Sequence, residues 1–301
     1  MSKRKAVSEA PAPEKKSKIS EDTAIARPLS SSSQGQFSKP EISIVSWNVN
    51  GIRAWIKKSS VLQFCTKDEF DVLCFNETKL QDKDVNDIKK QFSQYPYQFW
   101  SCSQAKKGYS GTAILSKTEP ISFTEGIGIK KHDDEGRTVT AEFSNFFVVA
   151  TYIPNAGQKL ERLKYRTKEW DTDFRQYLKT LENRGKGVVW LGDLNVVHRD
   201  NDIYNMKGKE KNAGCTLEER KEFSNSLDAG LVDSFRHLYP NARKYSWYST
   251  KNPKAKSDNM GWRLDYAVIS QSLVPKLRDS KIYDNIEGSD HHPIEVILSN
   301  N

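Results

Sequence analysis

Four apolar runs along this chain break into residues of the kinds that do chemistry. Residues 42–45 lead into Ser46-Trp47-Asn48-Val49-Asn50, and residues 72–75 into Asn76-Glu77-Thr78. Residues 188–191 give way to Gly192-Asp193-Leu194-Asn195, while Gly288-Ser289-Asp290-His291-His292-Pro293 stands directly before the run 294–298. Short apolar runs rich in β-branched residues read as buried strands. The pattern predicts strands at 42–48, 72–77, 98–101, 112–116, 138–143, 146–153, 188–193, 245–248, 264–269 and 294–298. Helical stretches fall at 59–67, 84–92, 159–181 and 217–229. In the longest, Leu160, Leu163, Trp170, Phe174, Tyr177 and Leu181 share one stripe. Thr216 is placed to cap the last of these helices, with Glu219 at the capping-box position.

Strands and helices mix from Glu41 onward with no linker-like break, which predicts one α/β domain over 41–301. Its two halves each open with an apolar strand ending in an Asn motif, a hint of a duplicated two-sheet sandwich. Residues 1–40 differ: they are rich in Ser, Pro, Ala, Lys and Glu and hold one aromatic, Phe37. Such a segment cannot bury enough apolar surface to offset its ordering entropy, so disorder is expected. Lys3-Arg4 and Lys15-Lys16-Ser17-Lys18, ten residues apart, fit a bipartite nuclear import signal; the alternative is a solvated basic arm.

Composition narrows the class. Hydrophobic content is 36% and mean hydropathy −0.73, but 13 Phe, 12 Tyr and 7 Trp supply bulk for a core. No apolar stretch approaches the ~18 residues that would span a bilayer, and the N-terminus lacks a signal-peptide core. An intracellular protein that avoids membranes is expected. Cys65, Cys74, Cys102 and Cys215 are widely spaced without Cys-x-x-Cys, which fits reduced, buried thiols. Net charge is +8 with pI near 9.1. Residues 1–40 carry eight Lys/Arg and four Asp/Glu, so half of that excess lies in the tail. The remaining basicity favours a nucleic-acid partner without establishing it.

Phosphodiester hydrolysis needs a cation on the non-bridging oxygens, a group to deprotonate or orient water, and help for the leaving oxygen. Hard oxygen ligands suit Mg²⁺. Glu77, at the end of an apolar strand, is the best single carboxylate for it, with Asp290 second and Asn48 a neutral choice. Asp193 and Asn195, two apart in an extended segment, can both face a phosphate; alternatively they form an Asp-x-Asn turn that closes the strand. His291 suits a metal, an acid/base role or a phosphate, and Asp265 is its natural orienter. His198 and His237 read as structural. No Gly-x-Ser-x-Gly elbow and no phosphate loop ending in Lys-Ser/Thr occurs, which disfavours Ser nucleophiles and triphosphate hydrolysis.

Taken in order, these blocks resemble the exonuclease III-type apurinic/apyrimidinic endonucleases of the exonuclease–endonuclease–phosphatase superfamily. The resemblance runs from about Ile42 to Leu298 and rests on the motifs above. It also rests on the loops at 51–55 and 108–111, Tyr152-Ile153-Pro154-Asn155-Ala156-Gly157, Lys211-Asn212-Ala213-Gly214 and Trp262-Arg263-Leu264-Asp265-Tyr266. It implies a four-layer α/β sandwich, two mixed β-sheets face to face with helices outside. It further implies a monomeric nuclear repair enzyme acting on double-stranded DNA with Mg²⁺, or Mn²⁺ in its place. Such an enzyme cleaves 5′ to an abasic site, leaving a 3′-hydroxyl and a 5′-deoxyribose phosphate, with 3′-exonuclease and 3′-phosphatase side activities. Other repair proteins would meet it through the tail.

By motif, Glu77 is the metal ligand, with Asn50, Asp290 and Asn48 in the same site. Asp193 activates water or assists the leaving group. Asn195 and His291 contact the phosphate, Asp265 orients His291, and Tyr152, Asn155 and Asn48 complete the phosphate site. Asn212, Trp247, Trp262 and Leu264 border the sugar pocket, with the two Trp residues alternatively in the core. Arg53, Lys79, Tyr109 and Arg137 join the DNA-binding set. The chain departs from the family pattern at Asn50, where animal-type members carry Asp, at Gln158 in place of a basic residue, and at Asn76 in place of Gln. Other branches of the superfamily, and a nuclear DNA-binding module without chemistry, are the competing readings; the last would not retain all five of Glu77, Asp193, Asn195, Asp265 and His291.

Overall fold

Alternation along each strand decides which side chains meet the opposite sheet. The computed structural model describes residues 34–66 and 69–301. Its strands are β1 (Glu41–Asn48), β2 (Val72–Asn76), β3 (Tyr97–Ser101), β4 (Thr112–Ser116), β5 (Ser122–Glu125) and β6 (Thr138–Glu142). They continue as β7 (Phe146–Thr151), β8 (Gly187–Asp193), β9 (Leu231–Asp233), β10 (Asp265–Ser270), β11 (Leu277–Ile282) and β12 (Ile294–Ser299). One six-stranded sheet has the order β11-β12-β1-β2-β4-β3 and the other β5-β6-β7-β8-β10-β9. In both, one parallel pair (β1 with β2, β7 with β8) is flanked by antiparallel neighbours. The two sheets therefore repeat one topology, as the paired Asn motifs suggested.

Ile42, Ile44, Val72, Cys74 and Ile114 of the first sheet interdigitate with Val139, Val148, Ala150, Val189 and Leu191 of the second. The opposite faces are covered in turn. Trp47 and Phe75 of the sheet pack against Trp55, Phe64, Val85 and Phe92 from the helices Ile52–Trp55, Ser59–Cys65 and Asp82–Lys89 and the turn after the last. Phe147, Trp190 and Tyr266 pack under Asp171–Glu182 and Leu217–Asp228. Helix, sheet, sheet and helix make the four layers. The Thr216–Glu219 capping box is present as expected. Among the described residues, no helix is long and apolar enough to cross a membrane.

Three expectations change. Residues 245–248 form no strand: Trp247 makes single bridges to Trp262 and His291, because its side chain turns to a cavity and no partner strand continues past it. The stretch 159–181 is not one α-helix. It enters at Leu163, runs through a π-helical segment Arg166–Trp170, and becomes regular at Asp171–Glu182. Phe37, assigned by composition to the tail, packs against Phe143 and Phe146 with ring centroids 4.8 and 5.8 Å apart. The import signal lies outside the described residues, as does Lys67 of the expected helix 59–67.

Candidate active site

Both parallel pairs end at the same edge of the sandwich. The C-terminal ends of β1, β2 and β8 deliver Asn48, Glu77 and Asp193 there, and the N-terminal ends of β10 and β12 bring Asp265 and His291. Gly192 lets β8 pass close to its neighbour β7, since a Cβ there would lie 2.0 Å from the Thr151 carbonyl and 3.0 Å from Asn76 Oδ1 of the facing sheet. From the other sheet, Asn76 Oδ1 accepts from the Asp193 backbone N–H and the Ser46 hydroxyl, both at 3.3 Å.

Asn48 is the link between the two carboxylates. Its Nδ2 donates to Glu77 Oε1 at 3.0 Å and to Asp193 Oδ2 at 2.9 Å, while its Oδ1 accepts from the Asn50 N–H. Its oxygen is thus turned to the backbone and its nitrogen to the two carboxylates, so Asn48 holds Glu77 and Asp193 at a fixed spacing. Asn50, Glu77 and Asn195 have φ of 46°, 51° and 49°. The left-handed region suits Asn better than Glu, and such strain persists only where the surroundings impose it. At Glu77 the clamp is local: its carbonyl accepts from Gly51, and the preceding carbonyl from Val49. At Asn195 it is the Asp193 carboxylate, whose Oδ1 accepts the Asn195 N–H at 2.9 Å, so the expected turn and the expected pairing coexist.

His291 Nδ1–H donates to Asp265 Oδ2 at 2.8 Å, and Nε2 lies 3.8 Å from Asp193 Oδ2. Burial disfavours the imidazolium, but the flanking Asp265 and Asp193 carboxylates outweigh it and raise the His291 pKa. Asp193 is also pushed upward, first by burial and then by Asp265 and Glu77, against the pull of His291. Burial likewise opposes the Glu77 carboxylate, yet the Lys79 ammonium and the Asn48 amide bring it below the ordinary range. Tyr152 is held well above the usual phenol value by burial and by Glu77 and Asp193, so it stays a donor.

Asn155 Nδ2 donates to Asn195 Oδ1 at 2.8 Å, and Asn195 Nδ2 to the Ile153 carbonyl at 3.0 Å. A cavity of about 450 Å³ is lined by Glu77, Tyr152, Asn155, Asp193, Asn195, Asn212, Asp290 and His291 on its polar side. Trp247, Trp262 and Leu264 form an apolar wall, with the two indoles edge to face at 5.3 Å. Both Trp residues are half-buried, packed on one side against the cluster of Val197, Ile203, Cys215 and Leu264.

Not every expected residue converges. Arg53 turns to Asp84 at 3.1 Å, away from the cavity. Arg137 is buried, donating to the Tyr152 carbonyl, the Tyr109 hydroxyl and Glu135, with its guanidinium 4.8 Å from the Tyr152 ring centre. It and Tyr109 therefore stand behind Tyr152. His198 bonds Ser224 and packs on Phe223, a structural place. Sequence reasoning missed Ser246, whose buried hydroxyl accepts the N–H groups of Leu264 and Asp265. A lone Ser carries no sequence signal of that kind.

Glu77, Asp290 and Asn50 offer only oxygens, which suits a hard divalent ion. Asn50 Nδ2 ties to Asp290 Oδ1 at 2.9 Å, and Lys79 Nζ, 3.0 Å from Glu77 Oε2, also bonds Asn50 Oδ1. A positive charge of the chain's own thus sits against two of those three residues, and the set fits a cation.

Two six-stranded sheets with acid, amide and imidazole groups at their common edge define a hydrolytic α/β sandwich. The chain belongs to the Endonuclease/Exonuclease/phosphatase family, whose profile matches residues 45–291. It is 50% identical over 256 residues to the DNA repair nuclease APEX1 of Danio rerio, covering 85% of this chain and 82% of that protein. It is 43% identical over 264 residues to the DNA-(apurinic or apyrimidinic site) endonuclease of Dictyostelium discoideum, covering 87% and 72%. The crystal structure of an AP endonuclease from Leishmania major superposes with a TM-score of 0.80 at 31% identity, covering 86% of this chain and 88% of that one.

Proposed function

We propose that this chain is a DNA-repair endonuclease that hydrolyses the phosphodiester 5′ to an abasic site, leaving a 3′-hydroxyl and a 5′-deoxyribose phosphate. The observation that carries the reading is the cavity itself: anion-binding donors on one side and a Trp247–Trp262–Leu264 wall on the other. A flipped sugar without a base fits such a slot, whereas an intact nucleotide is excluded by size.

In this reading protonated His291 and the amides of Asn155 and Asn195 hold the phosphoryl oxygens. Asn155 Nδ2 has a second N–H beyond its bond to Asn195, whereas Asn195 Nδ2 bonds the Ile153 carbonyl at 3.0 Å and would turn its other N–H from the long 3.5 Å contact with Asp193 Oδ2 to the phosphate. Asp193 takes a proton from the attacking water, or serves the leaving oxygen; its raised pKa suits either part. Tyr152 donates from beside it. A hard divalent ion, Mg²⁺ with Mn²⁺ as a substitute, would be held by Glu77 with Asn50 and Asp290, and supplies charge neutralisation when bound. A second depression of about 530 Å³ shares Asn50 and Asp290 and is flanked by Lys58 and Lys256, room for the continuing duplex. Nuclear entry is assigned to the basic clusters Lys3-Arg4 and Lys15-Lys16-Ser17-Lys18 of the 1–40 tail, and their loss should abolish nuclear accumulation while sparing incision.

The test is incision of a duplex carrying one tetrahydrofuran abasic analogue, with Mg²⁺ and with excess chelator. A single cut 5′ to the analogue, lost on chelation, is expected. Equal cleavage of the intact duplex would overturn the assignment.

A further inference from the structure

Behind the catalytic loops lies a charged pair that the chemistry above does not use. Arg166 is 3% exposed and belongs to the π-helical segment. Its Nη2 donates to the Leu194 carbonyl at 2.7 Å and its Nη1 to the Asn195 carbonyl at 2.6 Å, with Pro154 O at 3.3 Å. The same Nη1 meets Glu219 Oε1 at 3.3 Å. Glu219, wholly buried, accepts through Oε2 from the Gly214 N–H and the Thr216 hydroxyl, both at 2.7 Å. One ion pair therefore reaches the loops that carry Asn155, Asn195 and Asn212.

Packing alone does not explain the choice of residues. Burying a guanidinium and a carboxylate costs several kcal/mol per ion before their attraction is counted, and apolar side chains of similar volume are often as stable or more so. What an apolar side chain lacks is the rigid fork, which can bind several carbonyls at once. The widened turn lets Arg166 face the loops while Trp170, four residues on, stays in the core under the second sheet. Local π-turns of this kind occur frequently at functional sites.

We propose that Arg166, held by Glu219, is a positioning residue for phosphodiester hydrolysis, fixing the Asn155–Asn195 donor pair before substrate arrives. The inference rests on the endonuclease reading of the same site. Donors that are already oriented need no reorganisation as charge develops, and a displacement of about 1 Å can lower a rate about 10²-fold.

Single-turnover incision of the abasic-analogue duplex by the full chain tests this, with Arg166→Lys, Arg166→Met and Glu219→Gln beside wild type. Arg166→Lys should lower the rate constant about 10²-fold with full reaction amplitude and little change in the Kd for the duplex. Arg166→Met should be at least as slow, and Glu219→Gln should fall in the same direction by less. A purely structural role would instead lower the amplitude, through loss of folded enzyme, and leave the rate constant at the wild-type value; that result overturns the proposal. Should the Arg166 variants not fold, Glu219→Gln decides: a slower rate constant at full amplitude supports positioning, and an unchanged one overturns it. A wild type that fails to cut overturns the endonuclease reading itself, a result distinct from a competent wild type with equally fast variants.

Discussion

Asp265 and His291 come from different sheets, at the starts of β10 and β12, yet their side chains meet at 2.8 Å. The carboxylate fixes which imidazole nitrogen faces the cavity and favours the charged ring. Asp265→Asn should therefore lower incision about 10²-fold, the order of effect for a misdirected acid/base group. It should also bring the His291 pKa down toward its ordinary value, which an NMR titration of the ring protons reads directly. The stability effect has a definite sign. A His whose pKa is raised by folding contributes fully below its unfolded value, near 6.5, and loses that contribution as pH climbs through the raised value. The variant should accordingly be weakest relative to wild type at neutral pH and below, with the gap narrowing in alkali. A titration curve identical to wild type would remove Asp265 from this role.

Glu77 is the second case. With its carboxylate beside Asn50 and Asp290, Glu77→Gln should raise the Mg²⁺ concentration for half-maximal rate by at least ~10-fold, and weaken Mn²⁺ binding measured by paramagnetic resonance without DNA. Unaltered Mn²⁺ binding would place the ion elsewhere.

Specificity depends on the apolar wall. Trp262→Ala should leave the melting temperature close to wild type, because the indole is only half-buried, and should reduce discrimination between abasic and intact duplex. A folded variant that discriminates as well as wild type would assign Trp262 to packing.

Asp171 gives a stability prediction. It lies 3.6 Å from Arg166 Nε, and among the described residues neither Asp171 Oδ2 nor Arg166 Nε has a hydrogen-bond partner. Burial lifts the Asp171 pKa to about 6, the Arg166 charge notwithstanding. A carboxyl that binds its proton more tightly when folded lowers stability as pH rises from its unfolded pKa through the folded one. Asp171→Asn should thus stabilise the protein at pH 7.5, by on the order of 1–3 kcal/mol, and change little at pH 4. Thermal melts at the two pH values decide; equal shifts at both would mean that the carboxylate is already accommodated.

Much of this architecture was legible because the central strands carry their own signal. Val188 to Leu191 and Phe147 to Val149 are apolar on both faces, since each face is covered, and they were found within a residue or two. β5, β9 and β11 were not foreseen, and all three are edge strands. An edge strand needs little apolar surface and gains from charge that discourages further pairing, as Arg278, Asp279 and Lys281 of β11 show. The polar strand ends were equally readable, because Glu77 and Asp193 interrupt apolar runs. Arg166 was not: inside a helix a single Arg resembles any surface charge, and only the π-turn and the carbonyls above it reveal where it points. Trp247 misled for the converse reason, since an aromatic cluster reads as strand whether it faces a core or a slot.

The repeated topology of the sheets has a bearing on how this protein fails. Glu77 and His291 are carried by one sheet, Asp193 and Asp265 by the other, and Asn48 joins them across the seam. A chain cut between β4 and β5 would leave β11 and β12 on the fragment that lacks their sheet partner β1. Asn48 and Glu77 would stay on one piece and Asp193, Asp265 and His291 on the other, so neither would hold the whole site, and separating the pieces would silence the enzyme until they reassociated. Partial melting should behave the same way: any slippage of one sheet over the other dismantles the chemistry before secondary structure is lost, so activity is the earliest gauge of the seam.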